Sequence, residues 1–256
     1  MKILITGGTG FIGGRIKNLL SNNKDYNITS LSSKDCDLLD LNQVEHLFKE
    51  KYDVVINCAA KGVSNLDDEQ VYWDNLTIFN NLKLYKEKYN TFINIGSGSE
   101  LNPTHWYSKS KAKIWEEIQK EDNFYNVRVW GCFGKGEPEF RFFNKLFSSQ
   151  KQNTKFTINK NIYFDFIWVD DLVRIIEQIM LNPPSFKEIN AVYKEKYSLI
   201  NLATLASNHF KFSFPIEIIH TNYPFRNKIP TYNGELNHNY KVEGLIKGLK
   251  SYWNEY

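Results

Sequence analysis

Tyr107 and Lys111 stand four residues apart in Y-S-K-S-K. On an α-helix that spacing sets a phenol and an ammonium on one face, within reach of a common ligand. A free tyrosine ionises near ~10, and a neighbouring ammonium favours the phenolate, so the pair can exchange a proton near neutral pH. The same five residues also suit a core-facing tyrosine with a snorkelling lysine, so their place in the chain has to decide. Ten positions before Tyr107 lies Ser97, within G-S-G-S (Gly96 to Ser99), which closes the strand-like run T-F-I-N-I-G. Open α/β sheets gather ligands at the carboxyl ends of their strands. A hydroxyl there can donate to a carbonyl oxygen as negative charge builds on it.

A second group with chemical meaning is T-G-G-T-G-F-I-G (Thr6 to Gly13), directly after the strand-like K-I-L-I-T. Gly7 permits a tight turn, Gly10 lets a diphosphate come close, and Gly13 allows the helix to press on the strand. Phe11 and Ile12 fall in the first turn of that helix, whose N–H groups and dipole favour phosphate. Strand before and helix after supply the context that separates a dinucleotide turn from an ordinary glycine-rich one. After the second strand candidate (Asn27 to Leu31) comes S-L-S-S-K-D-C-D-L-L-D (Ser30 to Asp40). An NAD site would hold the ribose 2′-hydroxyl with a carboxylate, whereas Ser32, Ser33 and Lys34 suit a 2′-phosphate. NADP(H) is therefore favoured, and Asp35 keeps NAD(H) open.

Positioning these groups requires a sheet whose strands all end on one side. Strand-like runs alternate with helical periodicity through the first two-thirds of the 256 residues, the signature of βαβ units. Further strands are expected at Asp53 to Cys58 and Asn126 to Trp130, and helices near Val71 to Tyr85, Tyr107 to Lys120 and Leu172 to Met180. The expected fold is α/β, a Rossmann-type doubly wound parallel sheet, with a small α/β substrate-binding lobe at the C-terminal side. Residues 1–165, with part of 166–182, make the dinucleotide domain, and 183–256 mainly the lobe. A net charge of +3 from 32 basic and 29 acidic residues, scattered singly, argues against nucleic acid as partner. The three cysteines, Cys36, Cys58 and Cys132, show no C-x-x-C pairing and favour neither a zinc site nor a disulfide framework. No metal site is expected. With no apolar run of spanning length and no leader pattern, a cytoplasmic protein without a membrane partner is expected.

Several stretches resemble the extended short-chain dehydrogenases/reductases, the epimerase/dehydratase branch that modifies nucleotide sugars. V-I-N-C-A-A (Val55 to Ala60) is similar to the family's strand-end motif beside the cofactor, and W-D-N-L (Trp73 to Leu76) to its helix carrying an asparagine, here Asn75. R-V-W-G-C-F-G, F-D-F-I-W-V-D-D-L and V-E-G-L-I-K-G-L-K-S-Y-W resemble its lobe entry, its R-D-F-I-x-V-D-D pattern and its C-terminal helix. The resemblance makes Tyr107, Lys111 and Ser97 the catalytic trio, with Ser99 the rival hydroxyl and a substrate contact beside Lys61. It adds Cys58, Ala59, Ala60 and Asn75 to the cofactor site, and places Asp37 and Leu38 beside the adenine. Candidate nucleotide or sugar contacts in the lobe are Tyr223, Arg226 and Tyr232, while the histidines read as surface or lobe residues. The ten-position gap from Ser97 to Tyr107 is shorter than usual in the family, which implies a more open pocket, covered by a partner subunit or by the lobe.

Dehydratases of this branch carry an Asp-Glu pair right after the catalytic residue, where this chain has Gly98-Ser99. GDP-fucose synthases, which the S-K-D-C-D-L-L-D stretch resembles, epimerise with a cysteine at the place of Ser99 and a distant histidine, and no histidine occurs between His105 and His209. The resemblance thus implies NADPH-dependent reduction of a 4-keto nucleotide-activated deoxysugar, for surface-polysaccharide sugar biosynthesis, by a homodimer paired through the helices near 71–85 and 107–120. Two other readings stay open: a UDP-hexose 4-epimerase with retained NAD, and a non-catalytic dinucleotide-binding regulator.

Overall fold

The computed structural model describes residues 1–62, 68–212, 216–218 and 240–256. In chain order the first elements are β1 (Lys2–Thr6), α1 (Phe11–Leu20), β2 (Asn27–Leu31), α2 (Leu41–Leu47), β3 (Tyr52–Asn57) and α3 (Glu69–Lys83). Then come β4 (Tyr89–Ser97), α4 (Trp106–Ile118), β5 (Phe124–Val129), β6 (Gly131–Phe133), α5 (Phe142–Lys151), β7 (Phe156–Ile158) and β8 (Phe166–Trp168). The last are α6 (Val169–Leu181), β9 (Glu188–Asn190), α7 (Leu199–Phe210), β10 (Ile216–Ile218) and α8 (Leu245–Glu255).

Two compact units result: Met1–Arg128 with Val173–Asn190, and Val129–Leu172 with Ala191–Tyr256. Of the expected first domain, 1–165 with part of 166–182, residues 129–165 fall in the second unit and 173–182 in the first. After β5 the chain does not continue the large sheet, because β6 pairs with β8 in a separate two-stranded sheet.

The first unit carries a six-stranded sheet in the order β2-β1-β3-β4-β5-β9. β1 pairs in parallel with both β2 and β3, β3 with β4, and β5 with β9. Chain order reverses at β1, so the carboxyl ends of β1 and β3 flank the point where such sheets open a ligand crevice. The expected strands and helices of this unit are all present. Runs such as Ile3-Leu4-Ile5 and Val54-Val55-Ile56 are buried, as strands covered on both faces must be. Helix starts are set locally: Asp40 accepts from the Asn42 N–H at 2.9 Å to begin α2, and Asp68 from the Val71 N–H at 3.1 Å to begin α3. Leu4, Val55, Phe79, Phe92 and Phe124 join one hydrophobic cluster, in which the Phe92 and Phe124 rings stack at 4.6 Å.

In the second unit β7 pairs with β10. Asp171 is fully buried and accepts from the Tyr193 hydroxyl at 2.7 Å and from the N–H groups of Glu243 and Gly244 at 2.8 and 2.9 Å, anchoring the chain just before α8. The α5 helix has no local side-chain cap. Glu137 instead accepts from the Asn144 N–H in its first turn at 2.7 Å and from the Gly134 N–H at 3.2 Å. Burial pushes the Glu137 carboxyl up to about 7, against the pull of those two N–H groups and of Arg141. An acid whose folded pKa is raised binds its proton more tightly when folded. Its contribution is therefore full below the ordinary carboxylate range and is lost as the pH climbs to about 7. The loss is on the order of 3 kcal/mol. Denaturant titrations at pH 5 and pH 8 should show that loss in the native protein and a much smaller one in Glu137→Gln; equal losses would contradict this account of the cap.

Candidate active site

The glycine turn has the shape a dinucleotide needs. Gly7 has φ +66°, and a Cβ there would lie 2.8 Å from the Ala59 nitrogen. At Gly13 a Cβ would stand 2.3 Å from the Gly7 oxygen, so only glycine lets α1 approach the end of β1 this closely. Gly10 is the N-cap of α1, and no side chain caps that helix. The first turn, Phe11 to Gly13, can thus turn its N–H groups to a diphosphate, the ligand this backbone fits.

At the end of β2 the Ser32 hydroxyl and N–H both bond the Asp35 carboxylate, at 2.6 and 2.8 Å. These two bonds and the nearby charges of Lys17 and Lys34 hold Asp35 below the usual carboxylate range. Ser33 and Lys34 are exposed. Asp37 is exposed, and its side chain accepts from the Leu39 N–H at 3.1 Å. Leu38 instead packs into the hydrophobic core cluster.

Tyr107 and Lys111 share α4 as expected. The Lys111 Nζ donates to the Ile95 carbonyl at 2.8 Å and lies 5.8 Å from the centre of the Tyr107 ring. Lys111 is buried, so this bond to β4, two residues before Ser97, fixes its ammonium. At the end of β4 the Ser97 and Ser99 hydroxyls bond each other at 2.9 Å, and the Ser99 N–H reaches the Ser97 Oγ at 3.3 Å. The rival hydroxyls therefore form one pair. Burial pushes the Cys58 thiol up to about 12, against the pull of Lys111, which leaves it a neutral neighbour.

Two features escaped the sequence. His105 is the N-cap of α4: its Nδ1 accepts from the Ser108 N–H at 3.2 Å, and its ring stacks near Tyr107 at 6.2 Å. The signal was present, a polar residue just before the first helical turn. The other is a buried polar row that crosses the sheet. The Thr6 hydroxyl donates to Asn57 at 2.8 Å, Asn57 to Asn94 at 3.0 Å, Asn94 to Asn126 at 2.8 Å and Asn126 to Glu100 at 2.6 Å. Glu100 also accepts from Arg128 Nε at 2.6 Å, and Arg128 continues to Glu188 and, at 3.1 Å, to Asn190. Burial raises the Glu100 carboxyl, with Arg128 and the Ser97 N–H opposing. Every group bonded to it is a donor, so the carboxylate is the form they satisfy. Removing one partner of such a buried pair costs roughly 3–5 kcal/mol.

Asn75 is buried and braces the site. It accepts from the Lys61 N–H at 2.8 Å and donates to Ser110 at 3.0 Å, tying the segment after β3 to both α3 and α4. Lys61 is exposed, and Ala59 and Ala60 are partly buried. Tyr223, Arg226 and Tyr232 lie outside the described residues. Among the described residues no cluster of histidine, cysteine and carboxylate could hold a metal ion, and no helix is long and apolar enough to cross a membrane.

The profile of the NAD dependent epimerase/dehydratase family matches residues 3–193. The chain belongs to that family. It is thus an NAD(P)-dependent enzyme of the extended short-chain dehydrogenase/reductase type. A comparison with curated sequences returns no significant match. Among solved structures the chain is similar to a GDP-mannoheptose C4 reductase from Campylobacter jejuni with NADP bound, at 20% identity and TM-score 0.81 over 100% of this chain and 98% of that one. It is also similar to a GDP-L-fucose synthetase from Naegleria fowleri (20%, TM-score 0.80, 99% and 91%). A third neighbour is a mutant UDP-glucuronic acid 4-epimerase from Bacillus cereus, in complex with a fluorinated UDP-sugar and NAD (19%, TM-score 0.77, 99% and 98%). At these identities the likeness establishes the fold.

The close approach at Gly13 can be tested on this family member directly. Gly13→Val should lower NAD(P)H affinity at least ~10-fold and destabilise by roughly 1–3 kcal/mol, as overpacking against backbone does. Fluorescence titration with the reduced dinucleotide and a melting curve measure both. An unchanged dissociation constant would contradict the placement of the diphosphate.

Proposed function

We propose that this protein reduces the 4-keto group of a nucleotide-activated deoxysugar with NADPH, supplying a sugar for surface polysaccharide. The observation that carries the reading is the company of Ser97. Its hydroxyl meets the Ser99 hydroxyl at the end of β4, and Lys111 is pinned to the Ile95 carbonyl of the same strand. Gly98 and Ser99 stand where water elimination would need an acid and a base. Hydroxyl, phenol and ammonium suffice for carbonyl reduction.

A bound reduced nicotinamide supplies the hydride. Ser97 donates a hydrogen bond to the carbonyl oxygen and stabilises the charge that gathers there. Tyr107 passes its proton to that oxygen, completing the alcohol, and the phenolate left behind regains a proton from solvent. Lys111, held by β4, keeps a positive charge beside the phenol and so favours the form it must take. Gly7, Gly10 and the first turn of α1 hold the diphosphate, and the exposed Ser33 and Lys34 suit the 2′-phosphate. Asp35 supports a second reading, a 4-epimerase that retains NAD, because a carboxylate at this strand end suits a free 2′-hydroxyl. Protein that purifies with one bound NAD per chain would favour that reading.

We assign the working form to a cytoplasmic homodimer paired through α3 and α4. In support, Trp73 on α3 is 54% exposed beside the Tyr72 and Trp106 rings, which pack at 5.9 Å. The described cysteines are also free thiols, as a reducing compartment allows. Light scattering on a sizing column should give twice the chain mass, and Trp73→Glu should give the monomer; a monomeric native protein would contradict the pairing.

The chemical test is a screen of 4-keto sugar nucleotides with different bases, followed as NADPH or NADH oxidation. Tyr107→Phe should lower turnover on the order of 100-fold or more while NADPH binding stays nearly intact. Undiminished turnover in that variant would refute the proton donor.

A further inference from the structure

We infer that Glu100 and Arg128 form a positioning pair that fixes the aim of the Ser97 hydroxyl from beneath, through the turn that carries it. The inference rests on the reductase reading for its catalytic consequence. Ser97 ends β4 in extended geometry, φ −138° and ψ 138°, and its N–H is taken by the Glu100 Oε2 at 3.1 Å. That bond closes residues 98–101 into a single 3-10 turn. The other carboxylate oxygen, Oε1, accepts from Asn126 Nδ2 and from Arg128 Nε, each at 2.6 Å, and both side chains stand on β5. One carboxylate therefore fastens the turn to the next strand of the sheet.

Arg128 cannot swing away from this duty. Its Nη1 bonds Glu188 and, at 3.1 Å, Asn190 on β9, and its guanidinium lies 5.7 Å from the Trp115 ring. Asn126 also packs against β4 just before Ser97, since a Cβ on Gly96 would meet its amide oxygen at 2.6 Å. The turn in turn sets the hydroxyl: Ser97 Oγ is held by the Ser99 N–H and by the Ser99 hydroxyl. Displacing the turn displaces the group that must meet a carbonyl oxygen.

Neither charge can touch a substrate. Arg128 is 0% exposed and Glu100 5%, so their part is positioning rather than chemistry. Nor is fold stability a sufficient reason for them, because a buried ion pair is often matched or bettered by an apolar pair of similar volume. What apolar side chains cannot supply is an acceptor for the Ser97 N–H and two directional bonds to β5. Residues 102–105, which lead from the turn to α4, are exposed, and of them the Asn102 N–H donates to the Ser99 carbonyl at 3.3 Å.

The test uses the full chain with Glu100→Met and Arg128→Met together, which removes both charges and keeps bulk. Melting should fall by several degrees with the fold retained, because the Ser97 N–H and the Asn126 amide lose their acceptor. Hydrogen exchange without ligand should speed up at residues 97–101 by about 10-fold or more while residues 92–95 stay as protected as before. With a keto sugar that the native protein reduces, kcat should fall on the order of 30- to 100-fold, with KM and NADPH affinity within about threefold. If the double variant does not fold, Arg128→Lys, which replaces the planar fork by a point charge, is measured the same way. Unchanged exchange at the turn overturns the inference, as does faster exchange with unchanged kcat, or a fall in kcat matched by lost NADPH binding. A native protein that reduces no keto sugar would overturn the reductase reading instead, and the exchange measurement would still decide whether the pair holds the turn.

Discussion

Buried amides and one carboxylate, bonded in series across the sheet from β1 to β5, are the constraint on which the first unit's register depends. Thr6, Asn57, Asn94 and Asn126 occupy β1, β3, β4 and β5, and the row ends on Glu100. From Asn57 onward the amide nitrogen of one residue donates to the oxygen of the next, so the row is polarised toward a negative end. Polar groups so deep are tolerated only when each finds its partner. A slip of one residue in any strand would turn its member to the opposite face and leave the neighbours unpaired. Register and site are thereby one problem: the alignment Thr6 to Asn57 to Asn94 that satisfies the amides also sets how far β4 runs past β1 and β3, three residues on to Ser97.

On that frame the candidate chemistry is assembled by backbone contacts more than by side chains meeting each other. Lys111 reaches a carbonyl of β4, Asn75 clasps the backbone at Lys61, and α1 presses on the Gly7 carbonyl where any side chain would collide. The result is an edge on which the glycine turn, a hydroxyl pair and a phenol with its lysine belong to one compact unit. The second unit follows other rules. Its aromatic side chains dominate, with Phe143 packed between Phe133 and Phe166 at 4.7 and 5.0 Å, and its polar anchors, Asp171 and Glu137, fasten backbone N–H groups.

Much of the first unit was legible in advance. K-I-L-I-T and N-I-T-S-L form strands at the residues expected, because both read as short apolar or β-branched runs between turn residues, although only β1 is buried and β2 lies at the sheet edge. The glycine turn and Y-S-K-S-K were legible for a related reason, since their chemistry depends on close sequence spacing. What could not be read depends on register. Glu100 and Arg128 are 28 positions apart, and nothing local to either shows that β4 and β5 lie side by side at that height. The α5 helix escaped because its cap comes from Glu137, outside the helix, rather than from a serine or aspartate at its start. By contrast α7 carries a local signal, Ser198 and Asn201 capping each other.

Hydride delivery to a sugar carbonyl is the claim on which the functional account stands, and isotope tracing measures it without relying on any variant. NADPH carrying deuterium at the transferable nicotinamide position would be incubated with the protein and the 4-keto sugar nucleotide it consumes, and the product read by mass and NMR. The account requires one deuterium, bonded to the former carbonyl carbon in a single configuration. A product without deuterium at that carbon, or a sugar recovered unreduced while the dinucleotide returns unchanged, would contradict it.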